Sequence, residues 1–295
     1  MKTAMLKNLT IGWVGLGNMG RPMSLRVHRA GAQLFVSSRN RAAVDEMVRH
    51  GLHGVTNPRE AAQHADVVIL TVFDAASVGD VLKGEAGVFA GLRPGSLIID
   101  MGTTDVTATR EFALTAAQRN IDYLDAPVSG GVSGAAEGTL TIMVGGEAAH
   151  LERAMPILSI LGNRVTHVGS VGAGQATKAA NQVIVGITIA AVAEAFGLIS
   201  CAGVDLAKAS EALQGGFADS RVLREHGARM IKGDYAPGAT ISVQRKDMRQ
   251  ALSLAKSFGL HVPLTKLAAE RFDQVAELGF DHLDQSAMFK LLKDC

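Results

Sequence analysis

Short apolar runs rich in branched residues alternate with helical segments through the first half of the chain, and this alternation restricts the fold. The five runs are LTIGWV (9–14), QLFVSS (33–38), DVVILTV (66–72), SLIIDM (96–101) and IDYLDA (121–126). Strands that alternate with helices form right-handed βαβ units on a parallel, doubly wound sheet. Two later runs, TLTIMVGG and RVTHV, are predicted to add strands to the same domain.

The pattern changes after GSVGAGQ (169–175), where strand signals largely vanish and helical periodicity continues to the C-terminus. We therefore predict an α/β domain at 1–170 and an all-helical domain for substrate and subunit contacts at 171–295. The apolar stretch 173–201 is interpreted as one long buried helix joining the two. Its many Ala and Gly residues suit close packing against another helix or subunit, which favours a homo-oligomer, either a dimer or a tetramer.

Charge and hydropathy exclude some partners. The 29 basic residues nearly balance the 28 acidic ones, with no basic run, so we expect no nucleic-acid partner. The first apolar run leads into a Gly-rich turn rather than a cleavage site, which predicts a strand and not a signal peptide. The run 183–199 is barely long enough for a bilayer and contains Glu194, which favours a core or interface helix over a membrane span.

Cysteine and histidine usage adds two further expectations. Cys201 and Cys295 lie far apart in the sequence, which favours reduced thiols and a cytoplasmic location over a disulfide framework. The nine histidines are scattered, and the nearest pair, His50 and His53, is interpreted as ordinary loop residues in a Gly-containing turn. We therefore predict no metal site.

The stretch GWVGLGNMG has the GxGxxG spacing between a predicted strand and a helix predicted to begin near Asn18. In such a motif the first glycine permits a tight turn, the second lets the backbone approach a pyrophosphate, and the third lets helix and strand pack closely. The helix N-terminus then faces the anion. A Rossmann-type dinucleotide-binding domain follows, with cofactor contacts predicted at Gly15, Leu16, Gly17, Asn18, Met19 and Gly20.

The end of the second strand bears on the choice of cofactor. An NAD site usually has an acidic residue there, but this chain has SSRNR. Ser37 and Ser38 offer hydroxyls, and Arg39 and Arg41 could pair with a 2′-phosphate, so NADP is favoured while NAD remains possible. The alternative is that these arginines are solvated loop charges.

The segment DAPVSGG follows a predicted strand and contains Ser129, Gly130 and Gly131. Exposed amides at such a turn, helped by a hydroxyl, can hold a carboxylate or an oxyanion, although a purely structural turn explains the local pattern equally well. The nearby GVSGA around Ser133 fails the GxSxG pattern of a hydrolase at its last position.

Five motifs together resemble the β-hydroxyacid dehydrogenase family, which includes 3-hydroxyisobutyrate dehydrogenases and tartronate semialdehyde reductases. They are GLGNMG, DAPVSGG, GTLTIMVGG, GAGQATKAANQ and RKDMRQAL, in the order and approximate spacing of that family. The resemblance covers essentially the whole chain.

The resemblance gives a role to Lys178, whose ammonium group would be costly to bury without compensation. It implies that Lys178 is the general acid or base that exchanges a proton with the substrate oxygen as hydride is transferred. Partial desolvation would lower the pKa of such a lysine from about 10.4. Asn181, three residues later on the same helical face, matches the family asparagine that orients substrate.

By the same resemblance, the Ser129–Gly131 segment would bind the substrate carboxylate. Thr103 in DMGTTD would lie by the nicotinamide, and Lys246 would contact cofactor or substrate across the interdomain cleft. Thr71 and Val72 occupy a segment that lines the cofactor in the family, in which Phe73 replaces a smaller residue.

The sequence therefore predicts an NADP-preferring oxidoreductase of small β-hydroxy carboxylic acids, with catalysis between the two domains. KAANQ and EALQGGFADSRVL resemble the tartronate semialdehyde reductase branch, but Phe217 and Asp219 depart from it and could alter the substrate. The alternatives are a 3-hydroxyisobutyrate-type dehydrogenase and a non-catalytic NADP-binding module. The second alternative would not need Lys178, Asn181 and Ser129 together.

Overall fold

A computed structural model describes residues 6–292 and has two compact units, which meet in sequence at the Lys178–Ala179 bond. The strands of the first unit are β1 Thr10–Val14, β2 Gln33–Ser37, β3 His53–Gly54, β4 Val67–Leu70, β5 Leu97–Asp100, β6 Asp122–Asp125, β7 Val128–Ser129, β8 Leu140–Gly145 and β9 Gly162–Gly169. Its helices are α1 Gly20–Arg29, α2 Arg41–Arg49, α3 Pro58–Gln63, α4 Ala75–Leu82, α5 Val88–Gly91, α6 Val106–Ala117, α7 Gly131–Glu137 and α8 Ala148–Leu161.

Within residues 6–292, nine strands form one sheet in the order β3-β2-β1-β4-β5-β6-β8-β7, with β9 paired to β8. The strands from β3 to β6 are parallel. Every residue of β4 and β5 is buried, as expected for branched apolar strands at the centre of a parallel sheet covered by helices on both faces. The order reverses between β1 and β4, and ligands of such sheets bind outside the carboxyl ends of the strands at this switch point.

The antiparallel part of the sheet keeps one register across two strands. Asp125 of β6 pairs with Gly145 of β8, and after a short break Ser129 of β7 pairs with Thr141 of the same strand. The Pro127 carbonyl between them accepts the amide of Met143 at 3.1 Å. The segment from Asp125 to Ser129 therefore follows β8 without an inserted residue.

Two apolar clusters fill the two faces of this sheet. One contains Trp13 and Leu34 with the helices α1, α2 and α8, and the other contains Leu70 and Phe112 with α3, α4 and α6. Polar side chains cap several helices, such as Asn40 at α2, whose amide oxygen accepts the Ala43 N–H. The α/β class and the Rossmann-type sheet are confirmed.

The second unit is helical, as predicted. Its elements are the part of α9 Ala173–Cys201 that follows Lys178, α10 Leu206–Leu213, α11 Arg221–Lys232, α12 Ile241–Ser257, α13 Pro263–Val275, a π-helical turn Ala276–Phe280 and a 3₁₀ helix Gln285–Leu292. Phe196, Phe272 and Phe289 lie in its apolar core. Thr240 and Asp284 form an isolated β-bridge.

The long helix α9 has the predicted bounds but is less buried than expected. Among the described helices it alone is long and apolar enough to cross a membrane, with mean hydropathy 2.1 and 33% of the tested window buried. Ile184 is 67% exposed and Leu198 is 74% exposed. Composition could not reveal this, because an apolar face looks the same in sequence whether or not a neighbour covers it.

Three sequence expectations need correction. Cys201 is disulfide-bonded, so the expectation of reduced thiols is wrong at this position, and Cys295 lies outside the described residues. Separation along a chain says nothing about distance in space, and this argument for a cytoplasmic location no longer holds. Helix α1 begins at Gly20 rather than near Asn18. His53 lies in the edge strand β3 and stacks on Phe35 instead of lying in a turn.

Candidate functional site

The glycine loop after β1 is built by close backbone packing. Gly15 has a φ of 101°, and a Cβ there would lie 2.6 Å from the carbonyl oxygen of Thr71. A Cβ at Gly20 would collide with the carbonyl oxygen of Gly15. The Thr71 hydroxyl donates to this same carbonyl at 2.6 Å and accepts the Trp13 indole N–H at 2.9 Å. Both glycines are thus required by the packing of the protein itself.

Gly17 is different, because a Cβ at this position would meet nothing within 4 Å. Gly17 and Asn18 are exposed, whereas Leu16 is only 3% exposed and Met19 packs against the core. The open space over Gly17 is what a loop needs if a pyrophosphate is to approach its backbone. The loop therefore fits a dinucleotide, with main-chain rather than side-chain contacts expected at Leu16 and Met19.

The two arginines proposed to bind a 2′-phosphate, which follow β2, lie in different surroundings. Arg41 donates to the carbonyl of Val55 at 3.1 Å, so its guanidinium is already engaged. Arg39 is exposed, and no hydrogen bond from its side chain is seen among residues 6–292. Ser38 accepts the amide of Asn40 at 3.3 Å and shapes the loop. Arg39 is the better candidate.

Two fully buried aspartates end neighbouring strands β5 and β6. The Asp100 carboxylate accepts the Gly102 amide at 3.0 Å, the Thr104 hydroxyl at 3.0 Å and the Tyr123 hydroxyl at 3.2 Å. Burial raises its pKa to about 6, with a smaller contribution from the nearby Asp125 carboxylate. Burial also raises the pKa of Asp125.

Asp125 caps the start of the long helix. One carboxylate oxygen accepts the Gly172 amide at 2.8 Å, and the other accepts the Gln175 amide at 2.8 Å. Sequence reasoning missed both buried aspartates. The available signal was an acidic residue at the end of each of two successive buried strands, in SLIIDM and IDYLDA.

Lys178 lies one turn after Gln175 on α9 and is 7% exposed. The Gln175 side chain accepts the Thr104 amide at 3.0 Å and donates to the Gly102 carbonyl at 3.0 Å. These two bonds flank Thr103, which is half-buried in the segment after β5. Thr71 and Thr103 therefore follow the carboxyl ends of β4 and β5 in the first unit, and Lys178 lies one helical turn from the residue that bonds on both sides of Thr103.

The DAPVSGG segment is more structured than a loop. Val128–Ser129 forms β7, and Gly131 begins α7. Gly130 has a φ of 137° and Gly131 a φ of 65°, conformations that favour glycine. A Cβ at Gly131 would meet no atom within 4 Å. The space beside the Gly131 Cα is therefore open, which leaves room for a carboxylate at this turn.

In the second unit, Asn181 belongs to a chain of polar contacts. Its amide donates to the Gln182 side chain at 2.8 Å. Gln182 donates in turn to Gln244 at 3.1 Å and to the buried Asp247, which pairs with Lys246 at 2.9 Å. The pairing restrains the Lys246 ammonium, and Gln182 restrains the Asn181 amide.

The residues that depart from the reductase pattern lie in the segment between α10 and α11. Phe217 is fully exposed. Asp219 pairs with Arg224 and accepts the Gly215 amide at 3.1 Å, and these contacts hold the pKa of its carboxyl below the ordinary value. Across the described residues, no group of three or more His, Cys, Asp or Glu side chains could hold a metal ion.

Comparisons with known proteins agree with this arrangement. Residues 10–169 match the family model described as the NAD binding domain of 6-phosphogluconate dehydrogenase. Residues 172–292 match the one described as the NAD-binding of NADP-dependent 3-hydroxyisobutyrate dehydrogenase.

Individual relatives span almost the whole chain. The present chain is 42% identical to the 2-hydroxy-3-oxopropionate reductase of Escherichia coli K12 over 97% of each chain. It is 34% identical to the 2-(hydroxymethyl)glutarate dehydrogenase of Eubacterium barkeri, over 97% of this chain and 96% of the other. A solved structure of Mycobacterium tuberculosis 3-hydroxyisobutyrate dehydrogenase with L-serine superposes with a TM-score of 0.88 at 32% identity, covering 97% of this chain and 99% of that one.

Proposed function

Because the chain belongs to the β-hydroxyacid dehydrogenase family, we propose that it reduces 2-hydroxy-3-oxopropionate, also called tartronate semialdehyde, with NADPH. It is an NAD(P)-dependent oxidoreductase. The observation that carries the proposal is the burial of Lys178 one turn into a helix whose start is fixed by Asp125. The 42% identity to a 2-hydroxy-3-oxopropionate reductase supports the choice of substrate.

Each candidate residue has a role in this reaction. When bound, NADPH would supply the hydride that the aldehyde carbon receives. Lys178 donates a proton to the carbonyl oxygen as negative charge develops there, and Asn181 orients the substrate through its amide. The hydroxyl of Ser129 and the amides of Gly130 and Gly131 hold the substrate carboxylate.

The glycine loop and four further parts of the chain would hold the cofactor. The pyrophosphate would be held by main-chain groups of Gly15, Leu16, Gly17, Asn18, Met19 and Gly20, since the open face of Gly17 leaves room for it. Ser38 and Arg39 would contact the ribose and its 2′-phosphate. Thr71, Val72 and Thr103 would border the cofactor further along the strand ends, and Lys246 would contact cofactor or substrate.

The test follows the oxidation of NADPH and of NADH by the purified protein with tartronate semialdehyde. We expect kcat/KM to be higher with NADPH. Lys178→Ala should lose turnover while binding NADPH almost as tightly as the wild type. Substantial residual turnover in this variant would refute the catalytic role of Lys178, whereas a wild-type protein that binds NADPH without any turnover would favour a protein that only binds cofactor.

A second candidate is a 3-hydroxyisobutyrate-type dehydrogenase, which is favoured by the family model matching residues 172–292. The reverse reaction separates the two. A reductase of the proposed kind should oxidise a 2,3-dihydroxy acid faster than a 2-methyl-3-hydroxy acid, and the opposite preference would support the alternative.

We also propose that the protein is a homo-oligomer, a dimer or a tetramer, in the cytoplasm. Ile184 and Leu198 are exposed on one face of α9, since their separation of 14 residues is close to four helical turns. Light scattering after size exclusion tests this proposal, and a monomer at micromolar concentration would refute it. Subcellular fractionation tests the location.

A further inference from the structure

Asp125 is tied into the start of α9 more closely than an ordinary helix cap. An ordinary cap is the residue directly before the helix, as Asp205 is for α10. Asp125 instead reaches Gly172 from a strand 47 residues earlier and uses both carboxylate oxygens. It is also fully buried.

The backbone around this carboxylate is shaped to admit it. A Cβ at Gly145 would lie 2.5 Å from one carboxylate oxygen of Asp125, and a Cβ at Gly174 would lie 2.8 Å from the other. Glycine at both positions lets β8 and the first turn of α9 close around the charge. Asp125 thus lies within a fitted enclosure, and this contact sets the position of the first turn.

Gln175 extends the connection to a second segment. Its amide is held by Asp125, while its side chain bonds to the Thr104 amide and the Gly102 carbonyl on either side of Thr103. Lys178 follows Gln175 by three residues, about one turn or 4.5 Å along the axis. The same residue therefore fixes the distance between the lysine turn and the Thr103 segment.

We propose that Asp125 and Gln175 are positioning residues, which hold Lys178 in register with the Thr103 segment and with the carboxylate-binding turn that begins four residues after Asp125. This inference rests on the proposed function. Neither residue exchanges a proton with substrate. Removing the Asp125 carboxylate lets the first turn of α9 fray, because the amides of Gly172 and Gln175 lose their partner. Removing the Gln175 side chain instead detaches that turn from the Thr103 segment. A displacement of about 1 Å at a catalytic group can lower the rate about 100-fold.

The test compares Asp125→Asn and Gln175→Met with Asp284→Asn. Asp284 is a matched control, since it is also a buried carboxylate that accepts backbone amides, at Ser286 and Gly238, but it lies in the second unit and is given no part in the reaction. The measurements are kcat and KM for tartronate semialdehyde, the Kd for NADPH, and hydrogen exchange at the amides of residues 172–178.

We expect kcat to fall about 10- to 100-fold in Asp125→Asn and Gln175→Met, with KM and the NADPH Kd within about threefold of the wild type. Exchange at residues 172–178 should rise about tenfold in Asp125→Asn and stay unchanged in Asp284→Asn. Gln175→Met keeps the backbone bond to Asp125, so it can be judged even where Asp125→Asn does not fold.

The outcomes separate this inference from the proposed function. Wild-type protein without turnover would refute the proposed function, and the positioning role would fall with it. Wild-type turnover, with kcat in both test variants equal to that of Asp284→Asn, would overturn the positioning role alone, whether or not exchange rises. A loss of kcat without faster exchange in Asp125→Asn would also overturn it, because the effect would not pass through the first turn of α9.

Discussion

Replacing Asp100 with Asn should stabilise the first unit at neutral pH. The substitution keeps the size of the side chain and its acceptor for the Gly102 amide. The new amide group can donate to the hydroxyls of Thr104 and Tyr123, since a hydroxyl oxygen accepts as well as donates. It also removes the repulsion between Asp100 and Asp125.

The magnitude follows from the pKa of Asp100, which burial raises from 3.8 in the ordinary side chain to about 6. Each pKa unit corresponds to about 1.4 kcal/mol, so the difference is worth roughly 3 kcal/mol. Because the folded chain holds this proton more tightly than the unfolded chain, the stabilisation is complete below about pH 4 and is lost as pH rises through about 6. Asp100→Asn cannot ionise at this position, so it does not lose this stabilisation as the pH rises.

The assay is urea unfolding followed by the fluorescence of Trp13, at several pH values from 4.5 to 8. Trp13 is the single tryptophan and is buried in β1, so the signal reports the first unit. We expect Asp100→Asn to exceed the wild type by up to roughly 3 kcal/mol at pH 7.5, and the difference to shrink toward pH 4.5. Asp66→Asn, at an exposed pair with Arg93, is the control and should show no such trend.

Two results would refute this reasoning. A difference between Asp100→Asn and the wild type that does not change with pH would mean that Asp100 does not ionise in this range. A variant less stable than the wild type at pH 7.5 would mean that the hydrogen bonds to the Asp100 carboxylate in the wild type outweigh the cost of burying its charge.

Three further predictions concern the proposed site. Gly17→Ala should keep the wild-type Tm but weaken NADPH binding about tenfold. Gly20→Ala should instead lower the Tm, because its Cβ meets the Gly15 carbonyl. Thermal unfolding with and without NADPH checks both variants. Arg39→Ser should raise the KM for NADPH about tenfold or more and leave that for NADH unchanged, and an equal effect on both would refute the 2′-phosphate contact. Asp247→Asn should lower kcat/KM about tenfold, measured in steady state, because Gln182 loses a charged partner.

The fold was largely predictable because its signals are local. Branched apolar runs located seven of the strands, and uninterrupted apolar periodicity gave the bounds of α9. The short strands β3 and β7 were not predicted, since a strand of two residues shows no periodicity. The helical second unit followed from the loss of strand signals after residue 175.

The candidate site was predictable only in part. The glycine loop and the lysine helix are contiguous motifs, and a family resemblance supplied the roles proposed for them. The contact between Asp125 and Gly172 joins residues 47 apart and depends on sheet order, which sequence spacing does not encode. The engagement of Arg41 by the Val55 carbonyl and the exposure of α9 depend on neighbours in space in the same way.

The unbroken register from Asp125 to Ser129 against β8 has a consequence for the tolerance of this segment to insertion and deletion. Side chains alternate between the faces of a strand, so one added or lost residue would turn Ser129 to the opposite face while Asp125 stays in place. The number of residues between these two positions therefore determines on which face of the sheet Ser129 lies. Changes of side chain at Ala126 or Val128 leave this number unchanged, whereas the insertion or deletion of a single residue alters it.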